Sequence, residues 1–248
     1  MAYIAVLGHG VVGSGVLEVL MTHKGSIARR ADVEIKVKHI LDLREFPGLP
    51  YSHLFTKDFN VILNDPEVTV VVEVMGGLDP AFQYVKACLE HGKSVVTSNK
   101  ELVAEKGAEL LAIAKENNLN FLFEASVGGG VPINFILTKM IREHMSFADA
   151  LQLAQQLGYA ERDPSADVEG ADACRKICIL ASLAYGTHVY PREVHTEGIT
   201  KITLEDVAYA EAWGGVIKLI GQVKMLESGK IHIGVCPMFV SRDSQLAG

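Results

Sequence analysis

Cysteine occurs four times and tryptophan once in the 248 residues. Cys88, Cys174, Cys178 and Cys236 form no C-x-x-C pair, and so few in this length make no disulfide framework. That usage predicts a reducing, cytoplasmic setting. The nine histidines show no metal-ligand spacing, and there is no G-x-S-x-G elbow or Walker loop. Positive charge is short: 23 Lys and Arg stand against 30 Asp and Glu, a formal charge of −7. A sequence-independent nucleic-acid binder needs a basic face to neutralise phosphates, and this balance argues against one. No apolar run approaches the ~20 residues that cross a bilayer. Met1-Ala2-Tyr3-Ile4 lacks the basic region of a signal peptide. Neither nucleic acid nor membrane is therefore an expected partner. Internal repeats, low-complexity tracts and flexible linkers are also missing. With 49% hydrophobic and 21% charged residues, the chain is of ordinary globular composition, not disordered. Its length suits one large domain or two modest ones.

The first half alternates strand and helix patterns. Tyr3 to Leu7 reads as a buried strand, residues 11–24 as a helix and 33–41 as a strand. Asp58 to Asn64 reads as a short helix, and the valine-rich run Val68 to Val74 as a central parallel strand. Pro80 to His91 is a helix closed by Gly92 as its C′ residue. A strand (Ser94 to Thr97), a helix (Glu101 to Asn117) and a strand (Asn120 to Ala125) follow. This alternation predicts a doubly wound parallel sheet with ligands at the carboxyl ends of its strands. After Gly128-Gly129-Gly130 the pattern changes. Helices are expected over Asn134 to His144, Ser146 to Leu157 and Ala171 to Tyr185, with an acidic loop before the last. The remainder reads as a strand over Val194 to Ile202, a helix over Thr203 to Trp213, and two strands around Glu227-Ser228-Gly229-Lys230.

Four segments carry chemistry. Gly8-His9-Gly10-Val11-Val12-Gly13 follows a strand and opens a helix, the context a dinucleotide fingerprint needs. Its glycines allow a tight turn, backbone approach to a pyrophosphate and close helix–strand packing. Asp42 and Arg44 stand where a ribose ligand is expected. An acid there suits a 2′-hydroxyl and an arginine a 2′-phosphate, so NAD and NADP both remain open, as does a plain pair of surface charges. Thr97-Ser98-Asn99-Lys100-Glu101 reads as a capping box with Ser98 at the N-cap. Lys100 then opposes the helix dipole, which points to a site-facing role or to a solvated lysine. Glu124 to Pro132 places three glycines after a strand, either as a hinge or as exposed carbonyls toward an ion. In the acidic run Glu161, Asp163, Asp167, Glu169, Asp172, the last residue lies i,i+4 from Lys176. Facing outward the two are a weak surface pair. Facing a cleft they are a carboxylate and an amine able to hold a hydroxyl and move its proton. Cys174 and Cys178 alternate with apolar residues and are expected in the core.

Taken together these segments resemble homoserine dehydrogenase. The matching pieces are Gly8 to Gly13, Val74-Met75-Gly76-Gly77, Val96-Thr97-Ser98-Asn99-Lys100, Glu124 to Pro132 and Leu157-Gly158-Tyr159-Ala160-Glu161-x-Asp163-Pro164. Asp167-Val168-Glu169-Gly170, Asp172, Arg175-Lys176 and His195 to Thr200 match as well. The resemblance implies an α/β protein: a Rossmann-type doubly wound parallel sheet over 1–126, binding NAD or NADP, then a smaller α+β catalytic and dimerisation domain over 127–248. It implies an oxidoreductase interconverting homoserine and aspartate 4-semialdehyde, for threonine, methionine and isoleucine synthesis, acting as a homodimer or tetramer. By matched position Lys176, Lys100 and Asp172 are the catalytic residues. Glu161, Asp167 and Asp172 bind substrate. Gly8, Gly10, Val11, Val12, Gly13, Asp42, Arg44, Gly76, Thr97, Ser98 and Lys100 bind the cofactor. Glu124 with the carbonyls of Val127, Gly129 and Val131 resembles a monovalent-cation (sodium or potassium) site.

The resemblance breaks at Ile133, which runs straight into Asn134-Phe135-Ile136 where relatives have a further helix, a strand and an Asn-Gly-Thr-Thr-Asn turn. Relatives also continue past Gly248 and carry regulatory extensions. These gaps make a second expectation: a truncated, non-catalytic remnant that keeps nucleotide binding or subunit contacts. A third is an aldehyde dehydrogenase with Cys88 as its nucleophile.

Overall fold

A computed structural model describes residues 1–128, 133–160 and 162–247. The chain divides into two compact units, Met1–Gly128 and Gly129–Gly248.

The first unit runs β1 (Ala2–Leu7), α1 (Val11–Thr22), α2 (Lys24–Ala31), β2 (Ile35–Leu41), β3 (Phe55–Thr56), α3 (Phe59–Leu63), β4 (Val68–Glu73), α4 (Ala81–Glu90), β5 (Ser94–Thr97), α5 (Lys100–Glu116), β6 (Phe121–Leu122) and α6 (Ala125–Gly128). Its strands form one sheet in the order β3-β2-β1-β4-β5-β6, every pair parallel. The doubly wound sheet is therefore as expected. Its centre is apolar because helices cover both faces: Ala5, Val6, Leu7, Ile40, Val71 and Val95 are fully buried. β1 lies between β2 and β4, so the strand order reverses there and opens a crevice at the strands' carboxyl ends. The helix expected over 11–24 breaks in two at His23, which caps both α1 and α2. Gly92 takes φ +78 after α4, the C′ role its position predicts. At the opposite, amino ends of the strands, the Asp65 carboxylate accepts from Lys38 Nζ at 2.9 Å and lies 2.7 Å from His39 Nε2. Buried Lys93 donates there to the carbonyls of Asp65 and Val68 at 2.6 and 2.8 Å, and its desolvation lowers its pKa.

The second unit contains α7 (Ile133–Glu143), α8 (Phe147–Gln156), α9 (Ser165–Val168), α10 (Ala171–Tyr185), β7 (His195–Thr196), α11 (Leu204–Ala212), β8 (Gly215–Met225) and β9 (Ile231–Ser241). β8 and β9 form an antiparallel hairpin in unbroken register from Gly215↔Ser241 to Met225↔Ile231, and β7 joins the other side of β9 in parallel. Ile136, Leu137 and Met140 of α7 pack with Val207 and Ala210 of α11 and with Ile217 of β8. Cys174 and Cys178 of α10 pack with Val235 of β9, the core role expected of them. Ser146 caps α8 by accepting from Asp149 N–H. Two expectations change. The acidic loop contains the short helix α9. The strand expected over 194–202 shrinks to His195–Thr196: Glu197 N–H still donates to the Val235 carbonyl of β9, but from Gly198 on the chain turns to α9 instead. Ile199 N–H donates to the Val168 carbonyl at 2.7 Å. A Cβ on Gly198 would stand 2.1 Å from that same oxygen, so only glycine permits the approach.

Candidate functional site

The fingerprint lies between β1 and α1. Gly8 takes φ +100, and a Cβ on Gly13 would stand 2.1 Å from the Gly8 carbonyl oxygen, so the first and third glycines are needed for turn and packing. A Cβ on Gly10 would meet nothing within 4 Å, which leaves open space above the turn. Gly10 is the N-cap of α1; no side chain caps the helix, and its first turn holds no acidic residue. Val11 and Val12 are exposed. The N–H groups of this helix start are thus offered to an anion, and the cradle fits a pyrophosphate.

At the end of β2 the Asp42 carboxylate is nearly enclosed, with 9% of its side chain exposed. It accepts from His9 N–H at 2.9 Å and from Arg44 N–H, Nε and Nη2 at 2.9, 3.0 and 2.9 Å. The Arg44 guanidinium, with the two backbone donors, holds the Asp42 carboxyl well below the usual carboxylate range. Arg44 also donates to the His9 carbonyl at 3.0 Å, yet 62% of its side chain is exposed. The pair is therefore no loose set of surface charges: Asp42 anchors Arg44 to the fingerprint. A cavity of about 250 Å³ beside them is lined by Arg44, Phe46, Ser52, Phe55, Thr56 and Lys57 among others.

Across the crevice, Gly76 and Gly77 both take positive φ after β4. Lys100 is the first residue of α5 and is partly buried. The N-cap expected at Ser98 is in fact Asn99, whose side chain accepts from Leu102 N–H at 3.1 Å. One residue's shift lets Asn99 also donate to the Gly77 carbonyl at 2.6 Å. The Thr97 hydroxyl donates to Glu73 at 2.5 Å. Sequence reasoning missed Glu73 and Asn99. The usable signal was a charge closing an otherwise valine strand, since a buried carboxylate demands partners.

In the second unit, Asp172 lies in the first turn of α10 with its side chain fully buried, and Lys176 Nζ lies 3.0 Å from its Oδ2 with 13% of the lysine exposed. The outward-facing surface pair is thereby excluded. Gly170, at φ +82, starts α10 against Thr196 and Glu197. Asp167 is partly buried within α9. Glu161 lies outside the described residues. So do Gly129 and Val131 of the cation expectation, while Glu124 immediately precedes α6 and Val127 lies within it. Among the described residues no group of three His, Cys, Asp or Glu is placed to hold a metal. Cys88 is enclosed in α4 and burial pushes its thiol up to about 12, so it is no nucleophile and the aldehyde-dehydrogenase expectation fails.

Comparison with known proteins bears on both units. Residues 8–124 match the family described as homoserine dehydrogenase, NAD binding domain, and residues 126–248 match homoserine dehydrogenase. The chain is 39% identical over 262 residues to a homoserine dehydrogenase of Bacillus subtilis, covering 94% of this chain and 60% of the relative. It is similar to the crystal structure of a homoserine dehydrogenase from Thiobacillus denitrificans (TM-score 0.93, 37% identity), covering 100% of this chain and 63% of that one. It is also similar to a hyperthermophilic archaeal homoserine dehydrogenase mutant in complex with NADPH (TM-score 0.77, 27% identity), covering 100% and 84%. The chain thus spans about 60% of the length of the Bacillus relative. The comparison runs over 262 positions, more than the 248 residues of this chain, so residues inside the relative have no counterpart here.

Proposed function

This chain belongs to the homoserine dehydrogenase family, and on that premise we propose that it interconverts L-homoserine and L-aspartate 4-semialdehyde with a nicotinamide dinucleotide. The observation that carries the reading is the enclosed Asp172–Lys176 pair, an ammonium group held by a buried carboxylate and still partly open. The cofactor, when bound, supplies the hydride donor or acceptor at nicotinamide C4. The rest falls to this chain's residues. The N-terminal N–H groups of α1 take the pyrophosphate. Arg44, fixed by Asp42, presents its guanidinium to a ribose 2′-phosphate, which favours NADP(H) over NAD(H). Lys176 gives its proton to the aldehyde oxygen during reduction and recovers it from the hydroxyl in the reverse direction. Asp172 orients that ammonium group. The carboxylates of Glu161 and Asp167 hold the substrate's own ammonium group. A homodimer or tetramer is the proposed assembly.

The test is oxidation of NADPH by the full chain in the presence of aspartate 4-semialdehyde. Lys176→Ala is expected to lower kcat by roughly 10²–10⁴-fold. NADPH binding without any turnover would replace this reading with the nucleotide-binding remnant. Unchanged turnover in Lys176→Ala would remove the lysine from the mechanism.

A further inference from the structure

β4 ends its valine run on Glu73, whose side chain is fully buried. A carboxylate in such a place is stable only when its oxygens are satisfied. Glu73 Oε1 accepts from Met75 N–H at 2.8 Å, and Oε2 accepts from the Thr97 hydroxyl at 2.5 Å. Thr97 Oγ1 in turn accepts from Asn99 N–H at 2.9 Å. Asn99 Nδ2 donates to the Gly77 carbonyl at 2.6 Å, and its Oδ1 caps α5. These bonds close a ring that ties the loop after β4 to the loop after β5. Met75 also abuts the fingerprint, since a Cβ on Gly8 would stand 3.1 Å from Met75 Cα. One carboxylate therefore holds Met75 to Gly77 in place on one side and Thr97 to Lys100 on the other.

Thr97 and Asn99 are 1% and 6% exposed, so neither side chain is offered to a ligand. Their neighbours Gly76, Gly77 and Lys100 are more open. Resting on the dinucleotide reading above, we infer that Glu73 is a positioning residue for the nicotinamide half of the cofactor, acting through Thr97 and Asn99. The adenosine half lies by the end of β2, outside the ring. Loosening the ring disturbs the presentation of Gly76, Gly77 and Lys100 and leaves the Asp42–Arg44 anchor intact.

The experiment titrates the full chain with two probes. One is NADPH, and the other is 2′-phospho-ADP-ribose, the same molecule without nicotinamide. Thr97→Val keeps shape and loses the hydroxyl; Thr97→Ser restores it. Glu73→Gln is measured alongside, and if it does not fold the threonine variants carry the test. Thr97→Val is expected to raise the Kd for NADPH about ten-fold, through the disturbed presentation of Gly76, Gly77 and Lys100, with the fragment's Kd within about two-fold of wild type. Thr97→Ser is expected to bind both probes as wild type does. Equal weakening of both probes means a merely structural role and overturns the inference, as does unchanged NADPH binding in Thr97→Val. Wild type that binds neither probe refutes the dinucleotide reading itself and takes the inference with it; fragment binding by wild type keeps the two failures apart.

Discussion

Substituting both members of the Asp172–Lys176 pair, singly and together, separates its energetic role from its chemical one. The two groups lie 3.0 Å apart, with Asp172 fully buried and Lys176 13% exposed. Lys176→Met keeps the side chain's bulk and removes its charge, leaving a carboxylate enclosed without that cation. Breaking a buried pair from one side costs about 3–5 kcal/mol. Asp172→Asn is milder, about 1–3 kcal/mol, because the partly exposed ammonium group can turn toward water. With about 2–4 °C per kcal/mol for a chain of this size, Lys176→Met lowers Tm by roughly 6–20 °C. The double variant Asp172→Asn/Lys176→Met has neither charge to strand. It is expected to recover part of the loss, giving a coupling of about 2–3 kcal/mol. Turnover does not recover: all variants lacking the lysine stay roughly 10²–10⁴-fold down. Urea unfolding at pH 7, followed for the second unit, reads the first quantity, and NADPH oxidation reads the second. Strictly additive losses in the double variant would refute a coupled pair.

Arg44→Ala is expected to raise the Kd for NADPH about ten-fold and to leave NADH within about two-fold; equal loss for both removes the 2′-phosphate role. Lys38 and His39 hold the Asp65 carboxyl well below its usual range, with Lys38 the larger influence. A depressed folded pKa contributes stability above the unfolded value of about 3.9, and that contribution drains away as pH falls from there toward the folded value. Asp65→Asn therefore destabilises at pH 7 and flattens the stability curve below about pH 4, checked by urea unfolding at pH 7 and pH 3; an unchanged difference between the two refutes the assignment. Iodoacetamide at mildly alkaline pH is expected to label the partly exposed Cys236 well before Cys88; equal rates would contradict the burial of Cys88 in α4.

The parallel sheet was legible because each strand carries its own apolar run and each helix its own period. Glycine at 8, 10 and 13 marked the turn without help from tertiary structure. The Asp172–Lys176 spacing was visible too, but its burial was not, since i,i+4 says which side chains meet and not which face meets the core. β3 left no trace at two residues, and Val194 to Ile202 looked like a strand although Gly198 presses it onto α9. Ser98 fits a capping box as well as Asn99 fits a cap. Only the position of the Gly77 carbonyl, set by a different loop, decides between them.

The hairpin of β8 and β9 and the sheet of the first unit differ in when they can form. Met225 and Ile231 meet across one short turn, so this pairing is available within microseconds of collapse. Tyr3 finds Val68 only after a strand, several helices and another strand have been laid down between them. Loop closure of that span comes before any reward from the β1–β4 contact. In refolding, the second unit's hairpin is thus the early event, and the crevice beside the fingerprint, bounded by β1 and β4, is among the last features to assemble.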